Sequence, residues 1–310
     1  MLEGKTIREI MKKAGEIGVV IPAFNVAYLP MLEPMAQALK DTQSFGLMEV
    51  ARPDVEKFGA ESYAAAAEKF VEFADKRYTR LHLDHTPVID EDGERVDWEK
   101  IITDALSLGY SSVMIDGSRL SLEENISATR KAVDLAHPKG VPVEAELGAV
   151  MGHEKGPLPP YEELFNTGKG FTRPEEAQRF VKETGVDWLS VAVGNIHGAI
   201  SGAAKDQKKL AAKINIEHLR KLRDITGVPL VLHGGSGIGR EYVLESIKNG
   251  IAKINVGTEV RHAYEKPLAE KPGDIKNAQE SVRKRTTEII CDYYGIKGSA
   301  LKLEEGLKNQ

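Results

Sequence analysis

The chain has 310 residues, 41% of them hydrophobic, and a formal net charge of −5 with a pI near 6.0, a balance that speaks against a nucleic-acid-binding surface. The single cysteine, Cys291, excludes an internal disulfide, as expected in a reducing cytoplasm. No apolar run approaches the roughly 18 residues that cross a bilayer, and the N-terminal MLEGKTIREIMKKAG is charged and helix-like without a secretory apolar core, so the expectation is a soluble cytoplasmic protein that engages no membrane.

Short β-rich runs alternate with amphipathic segments along the chain. Strands are expected at 19–25, 45–51, 79–85, 111–117, 142–148, 188–194, 229–235 and 251–257. Helices are expected between them at 29–40, 62–75, 98–108, 122–136, 174–184, 216–226 and 240–249. Ser121 with Glu124, and Thr172 with Glu175, have the spacing of helix-capping boxes. Eight strands separated by helices imply parallel βαβ units, and eight is the number that closes into a (β/α)8 TIM barrel; barrels of about 250 residues are single domains. The charged helical stretch 259–310 exceeds what a barrel needs, so one domain over 1–310 with a C-terminal helical extension is expected. Long stretches after strands three, five and six (86–96, 149–171 and 195–213) overhang the C-terminal face and read as lids.

Several strands end on polar groups where a core strand would place Val or Leu. The endings are Asp84-His85 in HLDH, Glu146 in VEAELG, His197 after VAVGN, His233 in LVLHGGSG and Asn255 in KINVGT. Active sites of barrels lie at that end of the strands. Three histidines around one axis, His85, His197 and His233, make a catalytic zinc-type site with an open position. By strand alternation Asp84 faces away from His85, and its reading is either proton transfer or support of a metal ligand. His82 reads as a barrel-wall residue. The turns after strands seven and eight, with Gly234, Gly235 and Ser236 in one and Gly257 and Thr258 in the other, open into helices and suit a phosphate.

In order along the chain, PAFN (22–25), HLDH (82–85), SVMIDGS (112–118), EEN (123–125), VEAELG (143–148), GNIHG (194–198), LHGGSGI (232–238) and KINVGT (253–258) resemble the motifs of class II, metal-dependent ketose-bisphosphate aldolases, over roughly residues 5–265. The resemblance implies reversible cleavage of a ketose bisphosphate to dihydroxyacetone phosphate and an aldehyde, with fructose 1,6-bisphosphate as the default substrate and tagatose 1,6-bisphosphate or another sugar phosphate as alternatives. It implies Zn2+ or another divalent transition metal on His85, His197 and His233, with Glu146 near the metal and a monovalent cation as a further candidate. Asp84 matches the acid that exchanges a proton with the C4 hydroxyl, and Glu154 matches the loop glutamate that exchanges the enediol carbon's proton. Gly198, Gly234, Gly235, Ser236, Gly257 and Thr258 fall at or beside phosphate-binding positions; Asn255 and Asn25 fall where substrate oxygens are held. A homodimer or homotetramer is implied as well.

The chain also departs from the pattern. Thr86-Pro87 and an acidic insert follow HLDH, Gly257 stands in place of the usual Asp, and the usual Gln-x-Ser of strand two reads Glu49-Val50-Ala51, followed by Arg52. The half that reads the aldehyde is rewritten, and Arg52 is the candidate cation for that end. The alternatives are an epimerase or isomerase that reprotonates the enediolate without cleaving a bond, and a sugar-phosphate-binding protein without turnover.

Overall fold

The computed structural model describes residues 2–148, 161–195, 212–234 and 238–308. Its eight strands, β1 (Ile21–Asn25), β2 (Gly46–Val50), β3 (Thr79–Pro87), β4 (Ser112–Asp116), β5 (Val143–Leu147), β6 (Trp188–Val191), β7 (Leu230–Leu232) and β8 (Ile251–Val256), form a closed barrel in sequence order. All neighbours are parallel, and β1 closes on β8 through Ile21–Lys253 and Ala23–Asn255. This is the expected TIM barrel.

Strand alternation sorts the side chains into layers. Leu81, Leu83, Val113, Ile115, Val143 and Ala145 belong to one continuous apolar core shared with the surrounding helices. Ile21, Ala23, Phe45, Leu47, Trp188 and Val231 form a second core with Ile7, Ile10, Met11 and Ala14 of the helix Ile7–Ile17. That helix starts on a Thr6–Glu9 capping box and ends on left-handed Gly18, so its length is set at both ends. With one end packed by apolar groups, polar side chains of the strands gather towards the other. That asymmetry places the site.

The C-terminal helices Thr258–Glu270, Ile275–Glu288 and Ser299–Lys308 return to the barrel. Arg283 pairs with Asp41 at 2.7 Å, Gln279 donates to the Pro30 carbonyl at 3.0 Å, and the Ser299 hydroxyl accepts from the Phe45 amide at 3.0 Å.

Four local details differ from the sequence-based expectation. The Ser121–Glu124 capping box forms, but Thr172 caps nothing. Pro174 suits the first helical position, so that helix begins after Arg173, and the Thr172 hydroxyl donates to the Leu147 carbonyl (2.6 Å) and accepts from the Ala192 amide (2.8 Å), joining the ends of β5 and β6. A helix, Tyr161–Thr167, lies inside the stretch read as loop, held by Tyr161, whose hydroxyl donates to the Gly194 carbonyl at 3.0 Å. The acidic insert after β3 is a pinned hairpin rather than a lid. Ile89 bridges Arg95, and the Asp90 carboxylate accepts from the amides of Asp92 (3.0 Å) and Glu94 (2.9 Å). Finally, the pairing of β3 with β4 slips between Leu83 and Thr86, and His85 has a φ of 31°. This bulge breaks the alternation that would have turned His85 away from Asp84.

Candidate active site

The β3 bulge brings neighbouring residues into one cluster. Asp84 is 2% exposed. Its Oδ1 accepts from Asn255 Nδ2 at 2.9 Å and its Oδ2 from Asn25 Nδ2 at 3.4 Å. His85 stands edge-on to His233, with ring centroids 4.5 Å apart, and its Nδ1 lies 3.5 Å from Asp116 Oδ2. His233 Nδ1 lies 3.2 Å from Glu146 Oε2, and His233 Nε2 lies 3.0 Å from Glu144 Oε1. Ligand-type atoms of Asp84, His85 and His233 fall within 4.8 Å of one another, as do those of His85, Asp116 and Glu146.

The charges explain what this cluster can hold. Burial opposes a charge on Glu144, but the Lys253 ammonium and His233 hold its carboxyl well below the usual range. An ionised Glu144 can only accept, so His233 Nε2 donates to it and Nδ1 faces Glu146, a carboxylate–histidine arrangement that suits a metal ligand. Burial alone would lower both imidazoles, yet the Asp84 charge outweighs it and pushes His85 up to about 9, and Glu144 with Glu146 pushes His233 up to about 10. The carboxylates therefore demand positive charge at these rings. A divalent cation supplies that charge, so the residues fit a metal. Asp84 is held down to about 2, because the neighbouring cationic groups, His85 and Lys253 first, overcome its burial.

Local structure sets each of these groups in place. Asn125 of the EEN motif donates to the Glu146 carbonyl at 3.0 Å and accepts from Thr129 at 3.2 Å. Gly117 is required there because a Cβ would stand 2.2 Å from Asn125 Oδ1. Asn195 accepts from the Val193 amide at 2.9 Å and donates to the His233 carbonyl at 3.0 Å, which ties the end of β6 to the residue after β7. Gly257 leaves room for Asn25, whose Oδ1 a Cβ would approach to 2.9 Å. Thr258 opens the helix Thr258–Glu270, and Gly234 has a left-handed φ of 72°.

Not every candidate joins the cluster. Arg52 pairs with Glu56 at 2.6 Å and with Asp90 of the hairpin at 3.0 Å. Glu154, His197, Gly198, Gly235 and Ser236 lie outside the described residues.

Four functional-looking residues were not singled out as site candidates from sequence: Glu49, Glu144 and Lys253, with His82 assigned to the wall. Each is buried, in a polar layer next to the site where burial favours the neutral forms of His82 and Glu49. His82 Nδ1 lies 2.8 Å from Ser112 Oγ, and the Trp188 indole donates to Glu144 Oε2 at 2.7 Å. The signal was present as polar residues two apart on single strands: His82 and Asp84, Glu144 and Glu146, Lys253 and Asn255.

Residues 5–302 match the family model described as fructose-bisphosphate aldolase class-II. A fructose-bisphosphate aldolase of Geobacillus stearothermophilus is 32% identical over 273 residues, 86% of this chain and 84% of that protein. A probable fructose-bisphosphate aldolase of Bacillus subtilis is 32% identical over 87% of this chain and 88% of its own length. Among solved structures, the YdjI aldolase from Escherichia coli K12 matches with a TM-score of 0.75 at 30% identity, covering 95% of this chain and 98% of that one. With this fold, this clustering of acid and imidazole at the strand ends and these relatives, the chain belongs to the class II fructose-bisphosphate aldolases, a family of metal-dependent lyases that act on sugar phosphates.

Proposed function

We propose that this aldolase cleaves a ketose 1,6-bisphosphate, with fructose 1,6-bisphosphate as the first candidate and tagatose 1,6-bisphosphate as the second. The observation that carries the reading is the buried, ionised Asp84 beside the His85–His233 pair, oriented by two amides. His85, His197 and His233 would hold a divalent transition metal, with Glu146 beside it; imidazole donors favour zinc over magnesium. Such an ion supplies Lewis acidity towards the substrate ketone.

The chain's own groups do the rest. Asp84 accepts the C4 hydroxyl proton as the C3–C4 bond breaks, so that the C4 oxygen becomes the aldehyde carbonyl and the bonding electrons remain on C3. Glu154 then delivers a proton to that carbon. Gly198, Gly234, Gly235, Ser236, Gly257 and Thr258 are assigned to binding one phosphate, since glycine backbone and a helix start favour an anion. Asn255 and Asn25 orient substrate oxygens beside Asp84. A monovalent cation near this phosphate, a homodimer or homotetramer, and a cytoplasmic location belong to the same proposal; no helix among the described residues is long and apolar enough to cross a membrane.

Arg52 is assigned a different task. Its Nε pairs with Glu56 and its Nη1 with Asp90, so in this reading it anchors the β3 hairpin rather than the substrate's far end. Metal-reconstituted protein should release dihydroxyacetone phosphate from fructose 1,6-bisphosphate, and EDTA should stop it. Absence of release from both bisphosphates by folded, metal-loaded protein would remove this substrate assignment.

A further inference from the structure

Beside Asp84, towards the barrel interior, lies a cation that the cleavage chemistry does not use. Lys253 has no exposure, and its Nζ lies 3.0 Å from Glu144 Oε2, 3.4 Å from Glu49 Oε2 and 2.7 Å from Asn255 Oδ1. Glu49, His82 and Asp84 bring ligand-type atoms within 4.8 Å of one another, but the Lys253 ammonium stands beside them, so this group already contains a fixed cation. Surrounded by carboxylates and fully buried, Lys253 is placed as a donor and not as a nucleophile.

An ammonium can donate but cannot accept, and an ionised carboxylate can accept but cannot donate. Asn255 lies between one of each. Its carbonyl oxygen must face Lys253, and its planar amide then turns Nδ2 towards Asp84 Oδ1, at 2.9 Å. The reversed amide would set NH2 against NH3+ and a carbonyl oxygen against a carboxylate. We propose that Lys253 is a positioning residue for the aldol cleavage: it locks the Asn255 side chain in the one orientation that donates to Asp84 and so aims the Asp84 carboxylate at the substrate hydroxyl. Glu144 extends the device, since it receives both Lys253 and His233 Nε2 and couples the amide lock to a candidate metal ligand. Glu49, where the family pattern has Gln, adds a second carboxyl group to the ammonium's surroundings, one that burial and the Asp84 charge push well above its usual range. The kinetic part of the inference rests on the proposed cleavage reaction; the orientation itself does not.

The test is a paired variant, Lys253→Met with Glu49→Gln, which removes the ammonium together with a neighbouring carboxyl that burial and the Asp84 charge push well above its usual range. It is compared with Asn255→Ala and with the combination of all three changes, in metal-loaded protein. Loss of a hydrogen bond to a charged group corresponds to roughly 10- to 100-fold in rate. The paired variant should lose about that much kcat with KM for the bisphosphate shifted less than about threefold. In the Asn255→Ala background the same pair of changes should cost less than about threefold, because the effect passes through Asn255. Equal losses in both backgrounds would overturn the proposal.

Asn255→Asp keeps Lys253 and the core but removes the amide's donor. It should match the paired variant, and retained kcat would also overturn the proposal. A substrate-free readout separates this inference from the substrate assignment. In protein labelled with 15N-asparagine, the Asn255 side-chain resonance, identified by its loss in Asn255→Ala, should move and exchange faster in the paired variant. An unchanged resonance would refute the lock even if the wild-type enzyme cleaves neither bisphosphate.

Discussion

Replacing Asp84 by Asn tests the assigned proton transfer with little change of volume. Asp84 Oδ1 and Oδ2 both accept amide donors, from Asn255 at 2.9 Å and Asn25 at 3.4 Å. One of the two new atoms must be an NH2 group, so one of these contacts becomes donor against donor and costs about 1–3 kcal/mol. The lost charge also stood 4.0 Å from Lys253 Nζ, an attraction of about 4 kcal/mol at an effective dielectric of 20, much of it offset because a buried charge no longer has to be desolvated. The protein should therefore fold with a lowered melting temperature. Removal of a general base costs about 10²–10⁴-fold, or roughly 3–5 kcal/mol of barrier. Cleavage of the bisphosphate should fall by that factor. Exchange of a dihydroxyacetone phosphate proton with deuterated solvent involves no C4 hydroxyl, so it should persist within about threefold. Equal loss of cleavage and exchange would refute the assignment to C4, and unimpaired cleavage would refute any role of Asp84 in the chemistry.

Three further outcomes follow from the geometry. In metal-stripped protein His85 and His233 titrate near 9 and 10, above an unfolded value of about 6.5; their contribution is complete below that value and is lost as pH rises through the folded values. The melting temperature of stripped protein should therefore fall between about pH 7 and 10 while that of metal-loaded protein changes less, and coincident pH profiles would contradict this. Gly117→Ala places a Cβ 2.2 Å from Asn125 Oδ1 and frees the Glu146 carbonyl, which should cost about 1–3 kcal/mol in denaturant melts and weaken metal retention; an unchanged melt would show that Asn125 does not hold β5. Arg52→Ala removes ion pairs in which Arg52 is 23% exposed. It should cost about 1 kcal/mol or less, with KM within about twofold, whereas a tenfold rise in KM would return Arg52 to the substrate.

Strand periodicity and polar strand ends made the barrel and its working face legible in the sequence, because both are local patterns, the first repeated eight times and the second on five of the strands. The cluster was less legible where one local rule yielded to another. Alternation separated Asp84 from His85, but a one-residue slip against β4 turns both into the cluster, and nothing in HLDHTP announces a bulge. Thr172 has the spacing of a cap, yet Pro174 starts the helix later and the hydroxyl is drawn to two backbone groups across β5 and β6. Arg52 is a cation at a strand end, but its partner Asp90 lies 38 residues away and pairing between them depends on the folded hairpin. Glu144 and Lys253 are legible in the sequence, because each stands two residues before a polar strand ending, Glu146 or Asn255, and residues two apart on a strand share a face; Glu49 has only Leu47 and Ala51 at that spacing and joins the layer through the fold.

The most direct measurement is dihydroxyacetone phosphate release from fructose and tagatose 1,6-bisphosphates by zinc-reconstituted protein, with EDTA and Asp84→Ala as controls. Metal-dependent release from at least one of them, stopped by EDTA and abolished by Asp84→Ala, is the predicted result. Release that survives EDTA or Asp84→Ala, or no release by folded, metal-loaded protein, would contradict the account.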